Sequence, residues 1–372
     1  MAVVEAKADA GIILTASHNP KQWNALKLLN HKGEFISAKE GEALLEISER
    51  GDFDFAAIDD IGHTTIREDF LSSHIQHIID LPLVDVEAIQ KAGLKVAIDG
   101  INSSGGFAIP ALLEKLGVKQ IEKVHCDPTG QFAHNPEPLK EHVVDLCELV
   151  KNKKADIGFV VDPDVDRLAI VSEDGEMFGE EYTLVAVADY ILEHTPGSTV
   201  SNLSSSRALR DITEKHHQSY FASAVGEVNV VEKMKSEKAI IGGEGNGGII
   251  YPELHYGRDA LVGIALFLTY MVKKNKRVSE IKAAFPTYYM EKRKIELPEN
   301  KDVDKLLDEV RQAHQHENIT TIDGVKIDFD NEWVHLRKSN TEPIIRVYAE
   351  STTKENVNQL ADRFVQEIVS KI

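Results

Sequence analysis

Apolar positions along the chain follow two alternating patterns. Short unbroken runs at 11–14, 94–99, 156–161, 168–171, 199–203 and 238–241 read as buried strands bounded by turn-forming residues. Between them, apolar residues three and four apart over 40–50, 64–79, 108–116, 181–192, 207–216 and 258–273 read as helices. The stretch 94–116 is strand, Gly-containing loop, helix, one unit of an α/β sheet. Gly100, Gly105 and Gly106 in that loop offer either a structural turn or a phosphate seat at the helix start, and the turn is the reading adopted. Residues 1–10 form a short, moderately helical lead, and 24–29 with 35–36 suggest a further strand pair. Beyond Pro286 the character changes: a strand at 288–297, a helix at 303–314, three strands within 319–348 and an amphipathic helix at 354–372 make a separate α+β module.

Length and charge narrow the classes. At 372 residues the chain holds more than one core. A net charge of -19 argues against nucleic acid or an anionic membrane as partner, since both require a basic face. Only Cys126 and Cys147 occur, without metal-ligand spacing, and read as free thiols in a reducing compartment. No apolar run reaches spanning length, so a cytoplasmic protein is expected.

Four stretches carry chemistry. In Thr15-Ala-Ser-His-Asn-Pro20 a strand opens into a polar turn that presents Ser17 and His18, with Lys27 ten residues beyond Ser17. Asp162, Asp164 and Asp166 alternate in Asp162-Pro-Asp-Val-Asp-Arg167, which on an extended segment sets their side chains on one side. Such a trio repels unless a cation neutralises it, and oxygen-only ligation selects a hard ion such as Mg²⁺ or Ca²⁺. An EF-hand fails because Arg167 stands where that loop requires Gly. Gly243-Glu-Gly-Asn-Gly-Gly248 matches a dinucleotide pattern literally, but Ile249-Ile-Tyr-Pro252 follows instead of a helix. A tight turn offering Glu244 and Asn246 outward is expected there. Arg337-Lys-Ser-Asn-Thr-Glu-Pro343, with Arg346, gathers guanidinium, hydroxyl and amide donors of the kind that cradle phosphate.

Taken together, these strings resemble the α-D-phosphohexomutases, the family of phosphoglucosamine mutase, phosphomannomutase and phosphoglucomutase. The resemblance covers essentially the whole chain, with the four motifs in the family's order. It implies a multidomain α/β protein around a central cleft, with domains at 1–66, 67–177, 178–284 and 285–372. The opening strand and crossover helix that such a first domain carries have no counterpart before Gly11. Domain one is therefore expected to be incomplete, with an exposed sheet edge and apolar face.

The resemblance assigns roles. Ser17 would carry the transferable phosphoryl group and, with Asp162, Asp164 and Asp166, bind Mg²⁺. Arg167 would hold the active-site phosphate and Lys27 would move protons, which requires a lowered pKa. His18 would organise the loop. Glu244 and Asn246 would meet sugar hydroxyls, and Arg337, Ser339, Asn340, Thr341 and Arg346 would bind the second phosphate. Gly248 stands where the commoner bacterial pattern ends in a histidine, and Glu227 occupies another histidine site of the family; the 243–248 loop resembles versions in archaeal-type phosphoglucosamine mutases. The implied partner is a small sugar phosphate, glucosamine phosphate first and glucose or mannose phosphate as the alternative. A non-catalytic phosphosugar-binding protein, or a phosphatase with Asp162 as nucleophile, is the reading of a different class.

Overall fold

The computed structural model describes residues 1–19, 22–298, 301–339 and 343–372. They form two compact units, Met1–Gly179 with Ile249–Val278, and Glu180–Gly248 with Ser279–Ile372.

In the first unit, β1 (Gly11–Leu14) pairs antiparallel with β2 (Leu26–Leu29), so that Ile13 faces Lys27 in register. Phe35 makes only an isolated bridge to Leu29, so the strand pair expected at 24–29 and 35–36 is instead β1 with β2. The hairpin is thinly covered: Ile12, Leu14 and Leu26 are 64%, 80% and 58% exposed. Helix Ala38–Arg50, closed by a Ser37–Glu40 capping box, buries none of its residues. The second sheet has the order β4-β3-β5-β6, from β3 (Lys95–Asp99), β4 (Gln120–Val124), β5 (Ile157–Val161) and β6 (Leu168–Ser172). Its first three strands run parallel, and β6 returns antiparallel to β5. Helix Ala260–Lys274, buried continuously from Ala260 to Met271, packs on helices Phe70–Ile79, Val86–Ala92 and Gly105–Lys115. A helix apolar on every face is stable only in such a core.

In the second unit, β7 (Thr199–Asn202) lies between β8 (Tyr220–Ser223) and β9 (Ile241–Glu244), all parallel. The strand β10 (Gly248–Ile250) then carries the chain back to the first unit. A five-stranded antiparallel sheet follows in the order β11-β15-β14-β13-β12: β11 (Tyr289–Glu296), β12 (Asn318–Thr320), β13 (Val325–Asp328), β14 (Trp333–Lys338) and β15 (Ile344–Ser351). Helices Val303–Ala313 and Lys354–Val369 bury Leu306, Val310, Leu360 and Phe364 against one face of it.

Several elements differ from the pattern. The helix expected at 64–79 begins at Phe70, because residues 61–69 are exposed throughout and bury no apolar face. The strand expected at 238–241 starts at Ile241, since Lys238 adopts a left-handed conformation (φ 52) that closes helix Glu227–Glu237. Four strands, not three, occupy the 319–348 region and its flanks. The edge strands β4 and β8 and helices Val86–Ala92, Val144–Lys153 and Glu227–Glu237 are not among the elements read from the apolar pattern. Both cysteines are free thiols, and no helix among the described residues is long and apolar enough to cross a membrane.

Candidate active site

The first unit brings Ser17, His18, Lys27, Asp162, Asp164, Asp166 and Arg167 together. Ser17 follows β1 in a left-handed conformation (φ 49), its amide donating to Thr15 Oγ1 at 2.9 Å. Asp162 leaves β5 into a turn closed by the Val165 amide on the Asp162 carbonyl at 3.1 Å, with Val165 at φ 60. A β-branched residue there is strained, and such strain persists where surrounding structure over-determines it. The three carboxylates therefore converge through this turn rather than by alternation along an extended segment, with ligand oxygens within 4.8 Å of one another.

Their oxygens divide the work. Asp162 Oδ1 accepts the Asp166 and Arg167 amides at 3.0 Å each, and Asp162 Oδ2 accepts the Ser17 hydroxyl at 3.0 Å. The Lys27 ammonium donates to Asp164 Oδ2 at 2.6 Å and Asp166 Oδ2 at 3.0 Å, and Arg258 Nη2 donates to Asp166 Oδ2 at 2.7 Å. Asp164 Oδ1 and Asp166 Oδ1 are buried without a hydrogen bond. Two orphaned anionic oxygens beside a serine fit a hard divalent cation, because a buried acceptor without a partner is costly.

The electrostatics point the same way. Burial, then the charges of Asp166 and Asp164, push the Asp162 carboxyl well above the usual range. Burial also opposes the Asp166 charge, but Arg258, Lys27 and Arg167 outweigh it and hold Asp166 below that range. For Lys27 burial is likewise outweighed, by Asp166 and Asp164, so its pKa is raised. The lowered pKa expected for a proton-moving lysine is not what these neighbours produce. His18 is pushed down by burial and by Arg167. Arg167 Nη2 lies 3.3 Å from His18 Nε2, and a guanidinium only donates. With Nε2 accepting from Arg167, the proton of a neutral His18 sits on Nδ1, which faces Ser17 Oγ at 3.3 Å. Arg167 Nε is buried, makes no hydrogen bond, and has its nearest carboxylate oxygens at 4.0 Å. A cleft of about 490 Å³ opens beside Ser17, lined by Thr15, Asp164, Ser103, Ser104 and Phe132 among others.

The second unit holds the remaining candidates. Glu244 ends β9 and is 6% exposed, accepting from Asn202 Nδ2 at 2.8 Å and the Gly226 amide at 3.3 Å. It is buried rather than turned outward, because the strand runs through the glycines to reach it. Asn246 shapes the following turn by accepting the Gly248 amide at 3.2 Å. A Cβ at Gly245 would meet the Glu181 carboxylate at 2.0 Å, so a side chain there would displace Glu181. Arg337 on β14 stands directly opposite Arg346 on β15, which in turn stands opposite Lys294 on β11. Like charges directly opposite destabilise a sheet, here offset in part by Glu296, 3.8 Å from the Lys294 ammonium. Arg337 Nε is buried without a hydrogen bond, 3.5 Å from Asp323 Oδ2. Ser339 follows, its amide on the Ile344 carbonyl at 3.1 Å. Asn340 and Thr341 lie outside the described residues.

Arg258, Thr15 and Glu137 were not singled out from the sequence. Arg258 precedes a helix N-cap and belongs to no motif, and only its 2.7 Å contact with Asp166 marks it. Thr15 Oγ1 lies 3.4 Å from Asp164, and Glu137 lies 3.7 Å from Arg167.

Comparison with known proteins covers nearly the whole chain. Residues 1–55, 72–175 and 179–289 match the phosphoglucomutase/phosphomannomutase α/β/α domains I, II and III, and 293–367 match the C-terminal domain. The chain is 36% identical to a phosphoglucomutase/phosphomannomutase of Thermococcus kodakarensis, over 95% of its own length and 77% of the relative's. It is 31% identical to a probable phosphoglucosamine mutase of Methanopyrus kandleri, over 96% and 78%. A solved phosphoglucomutase/phosphomannomutase family protein from Burkholderia thailandensis shares the fold, with a TM-score of 0.84 at 23% identity, covering 98% of this chain and 76% of that one.

Proposed function

The chain belongs to the phosphoglucomutase/phosphomannomutase family and is a phosphohexomutase, an isomerase, and on that premise we propose that Ser17 carries the phoshoryl group it transfers between the 1- and 6-positions of a hexose phosphate. The observation that supports this reading is the meeting of the Ser17 hydroxyl with Asp162 at 3.0 Å, beside Lys27, Arg258 and Arg167.

In the proposed cycle a free sugar hydroxyl attacks phosphorus on phosphorylated Ser17. The new O–P bond forms and the Ser17 Oγ–P bond breaks; Lys27 gives a proton to the departing Ser17 oxygen and takes the proton of the attacking hydroxyl, leaving a bisphosphorylated sugar and a free Ser17 hydroxyl. The sugar turns end for end, and its other phosphoryl group returns to Ser17 by the reverse displacement. A Mg²⁺ ion held by Asp162, Asp164, Asp166 and the Ser17 oxygen would neutralise charge on the transferring group. Arg167 adds a second cation there, its orphaned Nε–H available to a phosphoryl oxygen. Lys27, kept as an ammonium, starts as the proton donor to the departing oxygen and regains its charge from the attacking hydroxyl. Glu244 and Asn246 would read sugar hydroxyls. Arg337, Ser339, Asn340, Thr341 and Arg346 would hold the phosphate that is not reacting.

Glucosamine phosphate is the first substrate proposed, in keeping with the Methanopyrus relative's name, and glucose or mannose phosphate is the alternative. The test is ³¹P NMR of the protein with each hexose 1-phosphate and Mg²⁺, together with intact-mass and peptide mapping. Interconversion with a phosphoryl group on Ser17 supports the reading. A hydroxylamine-labile phosphate on Asp162 would replace it with a phosphatase.

A further inference from the structure

Asp99 closes β3 fully buried, and two histidines meet it. Its Oδ1 accepts the Ile101 amide at 2.9 Å, while Oδ2 faces His125 Nδ1 at 3.2 Å and His134 Nε2 at 3.1 Å. The remaining ring nitrogens also face oxygens: His125 Nε2 lies 3.2 Å from Asp145 Oδ2, and His134 Nδ1 lies 2.8 Å from the Asn135 carbonyl. A carbonyl and ionised carboxylates only accept, and a neutral imidazole has a single N–H. His134 satisfies both of its contacts only as an imidazolium. A neutral His134 would set a lone pair against either Asp99 or the Asn135 carbonyl.

The cluster sits at a strained junction. Ile101, Asn102 and His125 all have left-handed backbones (φ 53, 52 and 48), which a β-branched residue such as Ile101 adopts least readily. The Asn102 amide donates to the His125 carbonyl at 2.6 Å, the Gly130 amide to the Asn102 carbonyl at 2.9 Å, and Asn102 Nδ2 to the Gln131 carbonyl at 3.2 Å. The segment anchored in this way, 125–137, contains no helix or strand. It places Gly130 and Phe132 in the wall of the cleft beside Ser17, and Glu137 Oε1 3.7 Å from Arg167 Nη1. Arg167 in turn meets His18, the neighbour of Ser17.

We propose that His134, as an imidazolium on Asp99, is a positioning residue for phosphoryl transfer, anchoring segment 125–137 so that Glu137 holds Arg167 and the cleft wall faces Ser17. Its activity readout rests on the mutase reading above, whereas its anchoring role does not. The charged or titratable groups facing the cluster are Asp99 from β3, Asp145 from helix Val144–Lys153, and His125 and Cys126 after β4. Burial disfavours the His134 cation, but Asp99 and the Asn135 carbonyl outweigh it and raise its pKa above that of an ordinary imidazole. The anchor is therefore complete at pH well below that raised value and is released as pH rises through it.

The experiment uses the full chain with ¹³C-labelled histidine, following the ring Cε1–H resonances from about pH 6 to 9, with His134 assigned by the H134Q variant. Peptide-level hydrogen exchange of 125–137 and the mutase rate are read over the same range. His134 should titrate above free histidine, and segment 125–137 should lose protection beyond the intrinsic pH effect with the same midpoint. The wild-type rate should fall on the alkaline side with that midpoint, and H134Q should be about 10–100-fold slower at neutral pH and lack that limb. D99N should bring the His134 titration down. A His134 titration at or below the free value, or H134Q with wild-type protection, rate and alkaline limb, overturns the proposal. Should H134Q fail to fold, the wild-type titration and exchange decide alone. A wild type without turnover at any pH, yet with the His134 titration and exchange midpoints coinciding, sinks the mutase reading and leaves the anchor standing.

Discussion

Ser17 and Asp162 stand 145 residues apart in sequence, yet the serine hydroxyl donates to Asp162 Oδ2 at 3.0 Å. The contact joins the turn after β1 to the turn after β5, so the proposed carrier and the proposed metal ligands share one set of atoms. Replacing Ser17 by Ala should abolish turnover, since no other hydroxyl occupies that position. Mg²⁺ affinity should fall only moderately, because Asp162, Asp164 and Asp166 remain. Calorimetric Mg²⁺ titration and a ³¹P assay on the same preparation separate the two effects. A near-normal rate in S17A would dismiss Ser17 as the carrier.

Cation binding should be linked to protons. Burial and its two neighbours keep the Asp162 carboxyl above its usual range, so the metal-free protein retains a proton there to higher pH than an ordinary carboxylate does. A divalent ion must displace that proton, hence affinity should rise with pH until Asp162 is ionised and then level off. Titrations in buffers of different ionisation enthalpy should report proton release on the acid side of that plateau. Affinity independent of pH would place the ion elsewhere.

The row Arg337, Arg346 and Lys294 should act on the phosphate and not on the sugar. R337A is expected to raise KM for glucosamine, glucose and mannose phosphates alike. Losing one bidentate charge-assisted contact costs about 1.5–3 kcal/mol, or roughly 10–150-fold. Loss confined to one sugar would assign Arg337 to sugar recognition.

Stability should depend on pH through Asp259. This buried carboxylate caps helix Ala260–Lys274 with one oxygen and accepts His74 Nε2 at 2.8 Å and His255 Nε2 at 3.0 Å with the other. Burial opposes both charges, but the ion pair prevails, holding Asp259 far below the carboxylate range and raising His74. The contribution of Asp259 is present above its unfolded value near pH ~4 and fades as pH falls below it. That of His74 is full below its unfolded value near pH ~6.5 and is lost as pH rises through the higher folded one. Asparagine at 259 keeps a capping acceptor and removes the charge. D259N should therefore flatten the pH dependence of Tm on both sides. An unchanged profile would show that the cap alone matters.

Much of this architecture was legible in one dimension. The strand at 11–14, the buried helix after Arg258 and the final amphipathic helix follow from apolar spacing, because periodic burial is a local property of the chain. The family was legible too, in four motif strings whose order along the chain runs through all four matched domains. Tertiary structure decided the rest. The edge strand β4 carries little apolar signal, and β8, though Tyr220, Phe221 and Ala222 are apolar, leaves all three only half-buried. The aspartates meet through a turn that relies on a left-handed Val165, which no alternation rule anticipates. Arg258 reaches Asp166 across 92 residues, and Glu244 is buried because β9 runs beside β7. The raised pKa of Lys27 reflects two carboxylates 137 and 139 residues away. Electrostatics and hydrogen bonding depend on distance in space, and it is the packing of sheets and helices that converts sequence separation into contact.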